Sequence, residues 1–238
     1  MKVVKAAAVQ FSPVLYSREA TVAKVAQKIH ELGQKGVQFA TFPETVVPYY
    51  PYFAAVQTGI ELLSGTEHLR LLEQAVTVPS AATDAIGEAA RKAGMVVSIG
   101  VNERDGGTLY NTQLLFDADG TLIQRRRKIT PTHFERMIWG QGDGSGLRAV
   151  DSAVGRIGQL ACFEHNNPLA RYAMIADGEQ IHSAMYPGRS TRRCTRARPL
   201  VRASPSGWKS ISASMRSSPA LSSSTQRRGW TPTSRRKS

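Results

Sequence analysis

The order of the first three periodic segments does most to restrict what this chain can fold into. Residues 3–10 are a short run of β-branched residues and alanine, the pattern of a buried strand. Val22, Val25, Ala26, Ile29 and Leu32 then recur at helical spacing, with Gly33 and Gly36 as the stop. Residues 36–42 return to strand character and end at Pro43-Glu44. A strand, a helix and another strand in that order require helices layered on a sheet, so the chain reads as α/β. Further along, 67–76 and 80–92 read as helices, the second capped by Ser80 and stopped by Gly94. A strand at 95–102 follows, then a hairpin of 110–116 and 121–128 around Asp-Ala-Asp-Gly. Residues 49–53 are aromatic and flanked by Pro48 and Pro51, which suits a pocket wall or lid better than a strand.

The most reactive stretch is 155–172. Ile157, Leu160 and Ala161 form a strand that delivers Cys162 into a polar turn. Pro168 stands at a first helical position, with Asn166 and Asn167 as candidate caps, and a helix runs on to about 177 before a strand at 180–185. A strand-to-helix turn can expose a nucleophile, and a helix dipole favours thiolate over thiol. Taken alone, Cys162 equally suits a small buried residue at a strand end. Glu44 alone suits a surface carboxylate, and Lys128 the end of a solvated Arg-Arg-Arg-Lys run whose alternation puts Arg126 and Lys128 on one face.

The formal charge of +13 and the pI of about 10.2 suggest a nucleic-acid partner until the charges are located. Residues 189–238 hold 13 of the 31 Lys+Arg and none of the 18 Asp+Glu, so residues 1–188 are neutral. That second segment has 13 Ser, 5 Thr and 4 Pro and no apolar periodicity, which predicts disorder. Arg/Ser/Pro-rich text without acids, starting abruptly after a strand, is what a shifted reading frame of a GC-rich gene gives. A solvated tail and a basic nucleic-acid or membrane arm are the alternatives. The domain boundary is therefore drawn at 1–188 and 189–238. Two cysteines, Cys162 and Cys194, do not make a disulfide scaffold and fit a reduced compartment. The N-terminal apolar run is too short for a signal peptide, and no run reaches the length of a membrane span, so cytoplasm is the expected location.

Three contexts carry more than their single residues: F-P-E-T-V-V-P around Glu44, R-R-R-K-I-T-P-T-H-F-E-R-M-I-W-G-Q-G-D-G around Lys128, and A-C-F-E-H-N-N-P-L-A-R-Y-A around Cys162. In these the sequence, from about residue 3 to 188, resembles the nitrilase branch of the carbon–nitrogen hydrolase superfamily. The resemblance implies an α-β-β-α sandwich and a Glu-Lys-Cys triad at Glu44, Lys128 and Cys162, with Glu135 as a supporting carboxylate. It implies hydrolysis of a small-molecule nitrile to the acid and ammonia, with no cofactor and no metal. His133, Trp139, Glu164 and Tyr49 are candidates for the substrate pocket. His133 and His165 would allow a Cys-His pair, but the family's base is the glutamate. Such proteins continue past this point with further strands and a helix and form homo-oligomers or filaments. The expectation here is thus a sandwich incomplete at its C-terminal end, with activity and assembly in doubt. The alternatives are an amidase of the same fold, hydration of a nitrile to the amide, and, from another class, nucleic-acid binding by the basic tail.

Overall fold

Strand β1 (Ala6–Ala8) runs parallel to β2 (Phe39–Thr41), with helix α1 (Arg18–Gly33) crossing between them. The computed structural model describes residues 3–187 and, as backbone, 198–200 and 209–213. Ser17 caps α1 by accepting a hydrogen bond from Ala20 N–H. Two short helices, α2 (Gly59–Ser64) and α3 (Glu67–Gln74), precede α4 (Ala81–Ala93), which ends at a left-handed Gly94. Strands β3 (Val96–Asp105), β4 (Thr108–Phe116) and β5 (Leu122–Arg127) complete the first sheet, with β3 parallel to β2 and the others antiparallel. Strand β6 (Ile157–Ala161), helix α5 (Pro168–Ala176) and β7 (Ile181–Met185) form a second parallel unit.

Alternation along β3 sorts the layers. Val97, Ile99 and Val101 pack with Val25, Ile29 and Leu32 of α1 and Ile86 and Ala90 of α4. Val96 faces the other way and meets Ala6, Phe39, Leu115, Ile157 and Ile181, the seam between the two sheets. Leu160 carries α5 on the far side through Ala170 and Met174. The layer order is therefore α-β-β-α, as the sequence resemblance implied. A polar ladder crosses the seam: the Thr41 and Ser98 hydroxyls bond Ser183 Oγ at 2.9 and 2.8 Å, and Gln159 Nε2 donates to Gln124 Oε1 at 2.9 Å. Every member is satisfied, so the ladder fixes the register of one sheet on the other.

Two features differ from the sequence reading. The first hairpin is β3–β4, in register from Val97↔Phe116 to Asp105↔Thr108 and closed by Gly106-Gly107. Charged residues disguised it, because Glu103 is buried and paired with Arg125 and Arg127 of β5. Within 189–238, read as disordered, backbone strands β8 (Arg198–Leu200) and β9 (Lys209–Ala213) pair with β1 and β7. Sheet edges offer unpaired N–H and C=O groups to any extended segment, whatever its side chains. The rest of the segment expected to be disordered lies outside the described residues.

Candidate active site

Each reactive side chain leaves the end of a strand. Glu44 follows β2, its N–H donating to Tyr186 O at 3.1 Å. The chain can cross the sheet there because position 100 is glycine: a Cβ at Gly100 would lie 2.3 Å from Thr45 N and 2.7 Å from Pro43 O. Lys128 follows β5 and is held by its N–H to Asn111 O at 2.7 Å. Glu135 sits on a 3-10 turn, His133–Met137, and its carboxylate accepts from Thr132 N–H at 2.6 Å. Cys162 follows β6 at the start of a second 3-10 turn, Cys162–Asn166. Its φ is +49°, and Thr45 beside Glu44 has φ +41°. A left-handed non-glycine residue costs on the order of 1–3 kcal/mol and persists only where its surroundings over-determine it.

Lys128 Nζ donates to Glu44 Oε1 at 2.9 Å and to Glu135 Oε2 at 2.7 Å, with all three side chains buried. Asn111 Nδ2 donates to the same Glu44 oxygen at 2.7 Å, and the Tyr50 hydroxyl donates to Glu135 Oε1 at 2.6 Å. Glu44 Oε2 is buried without a hydrogen-bond partner among the described residues. Burial raises the Glu44 carboxyl to about 7, Glu135 adding to the rise and Lys128 opposing it. Burial works against the Lys128 ammonium, yet Glu44 and then Glu135 hold it above the usual lysine range. Cys162 lies within electrostatic reach of all three. Burial and the Glu44 charge push its thiol up to about 12, with Lys128 pulling the other way. The thiolate preference expected from a helix dipole is thus reversed. The cap of α5 is Asn167 alone, accepting from Leu169 N–H and Ala170 N–H, and the 3-10 turn separates Cys162 from that helix end.

The remaining candidates fall in different places. Tyr49 lines a cavity of about 170 Å³ with Glu44, Tyr50, Tyr52 and Pro43. Trp139 is buried behind Tyr50, edge to face at 5.6 Å, and donates from Nε1 to Asn102 Oδ1 at 2.8 Å. His133 borders a second cavity, of about 240 Å³, with Arg136 and Phe163. Glu164 edges that cavity, but both its oxygens are taken. They accept from Arg126 Nη2 and Nη1 at 2.7 and 2.8 Å and from Ile129 N–H and Ala161 N–H at 2.9 and 2.8 Å. Its carboxylate is a tie between the lysine strand and the cysteine turn, and none of it is left for a substrate. Asn111 was not singled out from the sequence, and Tyr50 only as part of the aromatic stretch 49–53, without its bond to Glu135. Tyr50 bonds a residue 85 positions away, so no local pattern marks it. Asn111 carried a weaker signal, as one of several polar residues in β4, opposite Asn102. Among the described residues no group of His, Cys, Asp or Glu could hold a metal ion, and no helix is long and apolar enough to cross a membrane.

A family model described as carbon–nitrogen hydrolase matches residues 5–204. The chain belongs to the carbon–nitrogen hydrolase family. The chain is 95% identical over 188 residues to Nitrilase 3 from an unknown prokaryotic organism, covering 79% of the chain and 57% of that protein. It is 54% identical over 187 residues to a nitrilase from Paraburkholderia phymatum, covering 79% and 54%. It therefore spans about half the length of these curated relatives. Among solved structures, a carbon–nitrogen hydrolase from Helicobacter pylori superposes with a TM-score of 0.61 at 19% identity, over 77% of this chain and 60% of that one. That likeness establishes the nitrilase-superfamily fold.

Proposed function

We propose that the hydrolase chain carries the catalytic cluster of a nitrilase, with Cys162 as nucleophile, Glu44 as general base, Lys128 as the cation for developing charge and Glu135 as its support. One observation carries the reading: the Lys128 ammonium bridges two buried carboxylates, one of which, Glu44, keeps an unpartnered oxygen, and the charges of this cluster act on Cys162. Glu44 takes the thiol proton as Sγ adds to the nitrile carbon, and the nitrogen takes up that proton, giving a thioimidate. Water, deprotonated by Glu44, adds to the same carbon. The tetrahedral intermediate expels ammonia and leaves a thioester, which a second water cleaves to the carboxylic acid and free Cys162. Lys128 opposes the negative charge that builds at each addition. A base near 7 suits this work, since it is half ionised where proton transfer is needed and still basic enough to accept. Tyr49, Tyr50 and Tyr52 give the neighbouring cavity aromatic walls for the organic part of the substrate.

The test is intact mass after incubation with a nitrile, together with ammonia release. An adduct mapped to Cys162 and lost in Cys162→Ala is expected. Ammonia from the matched carboxamide but none from the nitrile would replace the reading by the amidase one. Accumulation of the amide would replace it by hydration alone.

A further inference from the structure

A second line of side chains, buried Glu179 and His182 and half-buried His165, reaches Cys162 from β7 and the turn before it through the 3-10 turn of Cys162 itself. His165 Nδ1 lies 2.7 Å from the Cys162 carbonyl oxygen. A carbonyl only accepts, so Nδ1 carries the hydrogen and donates it. His165 Nε2 is 3.0 Å from His182 Nε2, and His182 Nδ1 is 2.8 Å from Glu179 Oε2. The Glu179 carboxylate fits because position 158 is glycine: a Cβ there would lie 2.0 Å from Glu179 Oε2. Gly158 and His182 are register partners on β6 and β7, so the strand that delivers Cys162 also makes room for the far end of the chain. Tyr186 stacks on the His165 ring, centroids 5.3 Å apart and planes 16° apart, which fixes the plane of the imidazole.

The charged cluster around Glu44 and Lys128 bears on the Cys162 side chain, whereas the left-handed backbone at Cys162 needs its own restraint. We propose that Glu179, His182 and His165 are positioning residues that hold the Cys162 carbonyl and so aim its sulfur. This rests on the reading of Cys162 as the nucleophile. Burial draws the His165 ring below the ordinary histidine range against the pull of its bond to Cys162, which suits a neutral ring with one hydrogen spent on the carbonyl and a lone pair toward His182. His182 then donates from Nε2, and one proton lies between its Nδ1 and Glu179. Release of the carbonyl would let the backbone relax and carry the sulfur away from Lys128.

The experiment is the alkylation rate of the full chain with iodoacetamide, resolved by peptide mass into Cys162 and Cys194, the second thiol serving as reference. His165→Asn keeps an N–H donor near the Nδ1 position, while His165→Phe keeps a flat ring for Tyr186 without a donor. The expected result is Cys162 alkylation slowed about tenfold or more in His165→Phe but within about threefold of the parent in His165→Asn. Where nitrile turnover is measurable, kcat falls in the first variant with KM unchanged. A packing role reverses the order, with Phe tolerated and Asn slow. That result, or equal rates in both variants, overturns the proposal. Should His165→Phe not fold, His182→Gln against His182→Leu gives the same contrast one link further out. Iodoacetamide needs no nitrile chemistry, so failure of nitrile hydrolysis leaves this comparison readable.

Discussion

Glu44 answers to two opposing demands. As the base proposed for the thiol it must be ionised, and as a buried carboxyl at about 7 it resists ionisation. Its folded value lies above the unfolded one, so its contribution to stability is full below the ordinary carboxylate range and declines as pH rises through about 7. Activity runs the other way, because only the carboxylate can take the thiol proton. The rate of Cys162 adduct formation with a nitrile is therefore expected to climb as pH passes about 7, and the folded state to lose stability over the same interval. Glu44→Gln should flatten that profile and cut the rate by roughly 10²–10⁴-fold. A pH–rate profile by quenched-flow mass spectrometry checks both, and a rate that stays level across neutral pH would remove Glu44 as the base. Glu44, Lys128, Glu135 and Cys162 were singled out from their flanking motifs, and in the fold Lys128 meets both carboxylates. Tyr50 was hidden, since a hydroxyl's partner is set by a neighbour distant in sequence.

Strand β5 divides its arginines between two tasks. Arg125 and Arg127, themselves partly exposed, face buried Glu103 and exposed Asp105, and Arg127 also covers the Tyr110 ring at 3.7 Å. Arg126, on the other face with Lys128, is fully buried against Glu164. The period-2 pattern showed this split, but a run of four cations could not show that one face is interior. The Arg126–Glu164 pair joins the strand that ends in Lys128 to the turn that begins with Cys162, so it sets their spacing. Breaking it leaves a buried carboxylate without its cation, held only by two backbone N–H groups, and Arg126→Met is expected to cost about 3–5 kcal/mol in urea unfolding. Arg125→Met, with a partly exposed side chain, should cost roughly 1 kcal/mol or less. Equal losses would mean that the buried tie contributes no more than the surface one.

At the scale of the whole molecule, the site lies where the two sheets meet, and part of its support comes from residues at the end of the matched region. Glu44 takes its backbone partner from Tyr186 and bridges to Pro187. The match covers only 57% and 54% of the length of two of the relatives. Shifting a catalytic group by about 1 Å can cost on the order of 10²-fold in rate. Joining residues 1–187 to the remaining part of a 95% identical relative is accordingly expected to raise ammonia release per Cys162 at least about tenfold over the 238-residue chain. Equal release would show that the shorter chain already holds its site.

The sequence by itself determined the α/β layering and the strand ends on which Glu44, Lys128 and Cys162 stand, because hydrophobic period and turn residues are local properties. Only the tertiary structure decided that Glu164 is a tie and that the Cys162 thiol is raised. It also brought Glu179 and His182 into line with His165 behind Cys162. Those outcomes depend on burial and on partners far apart in the chain, and neither is written in the spacing of neighbours.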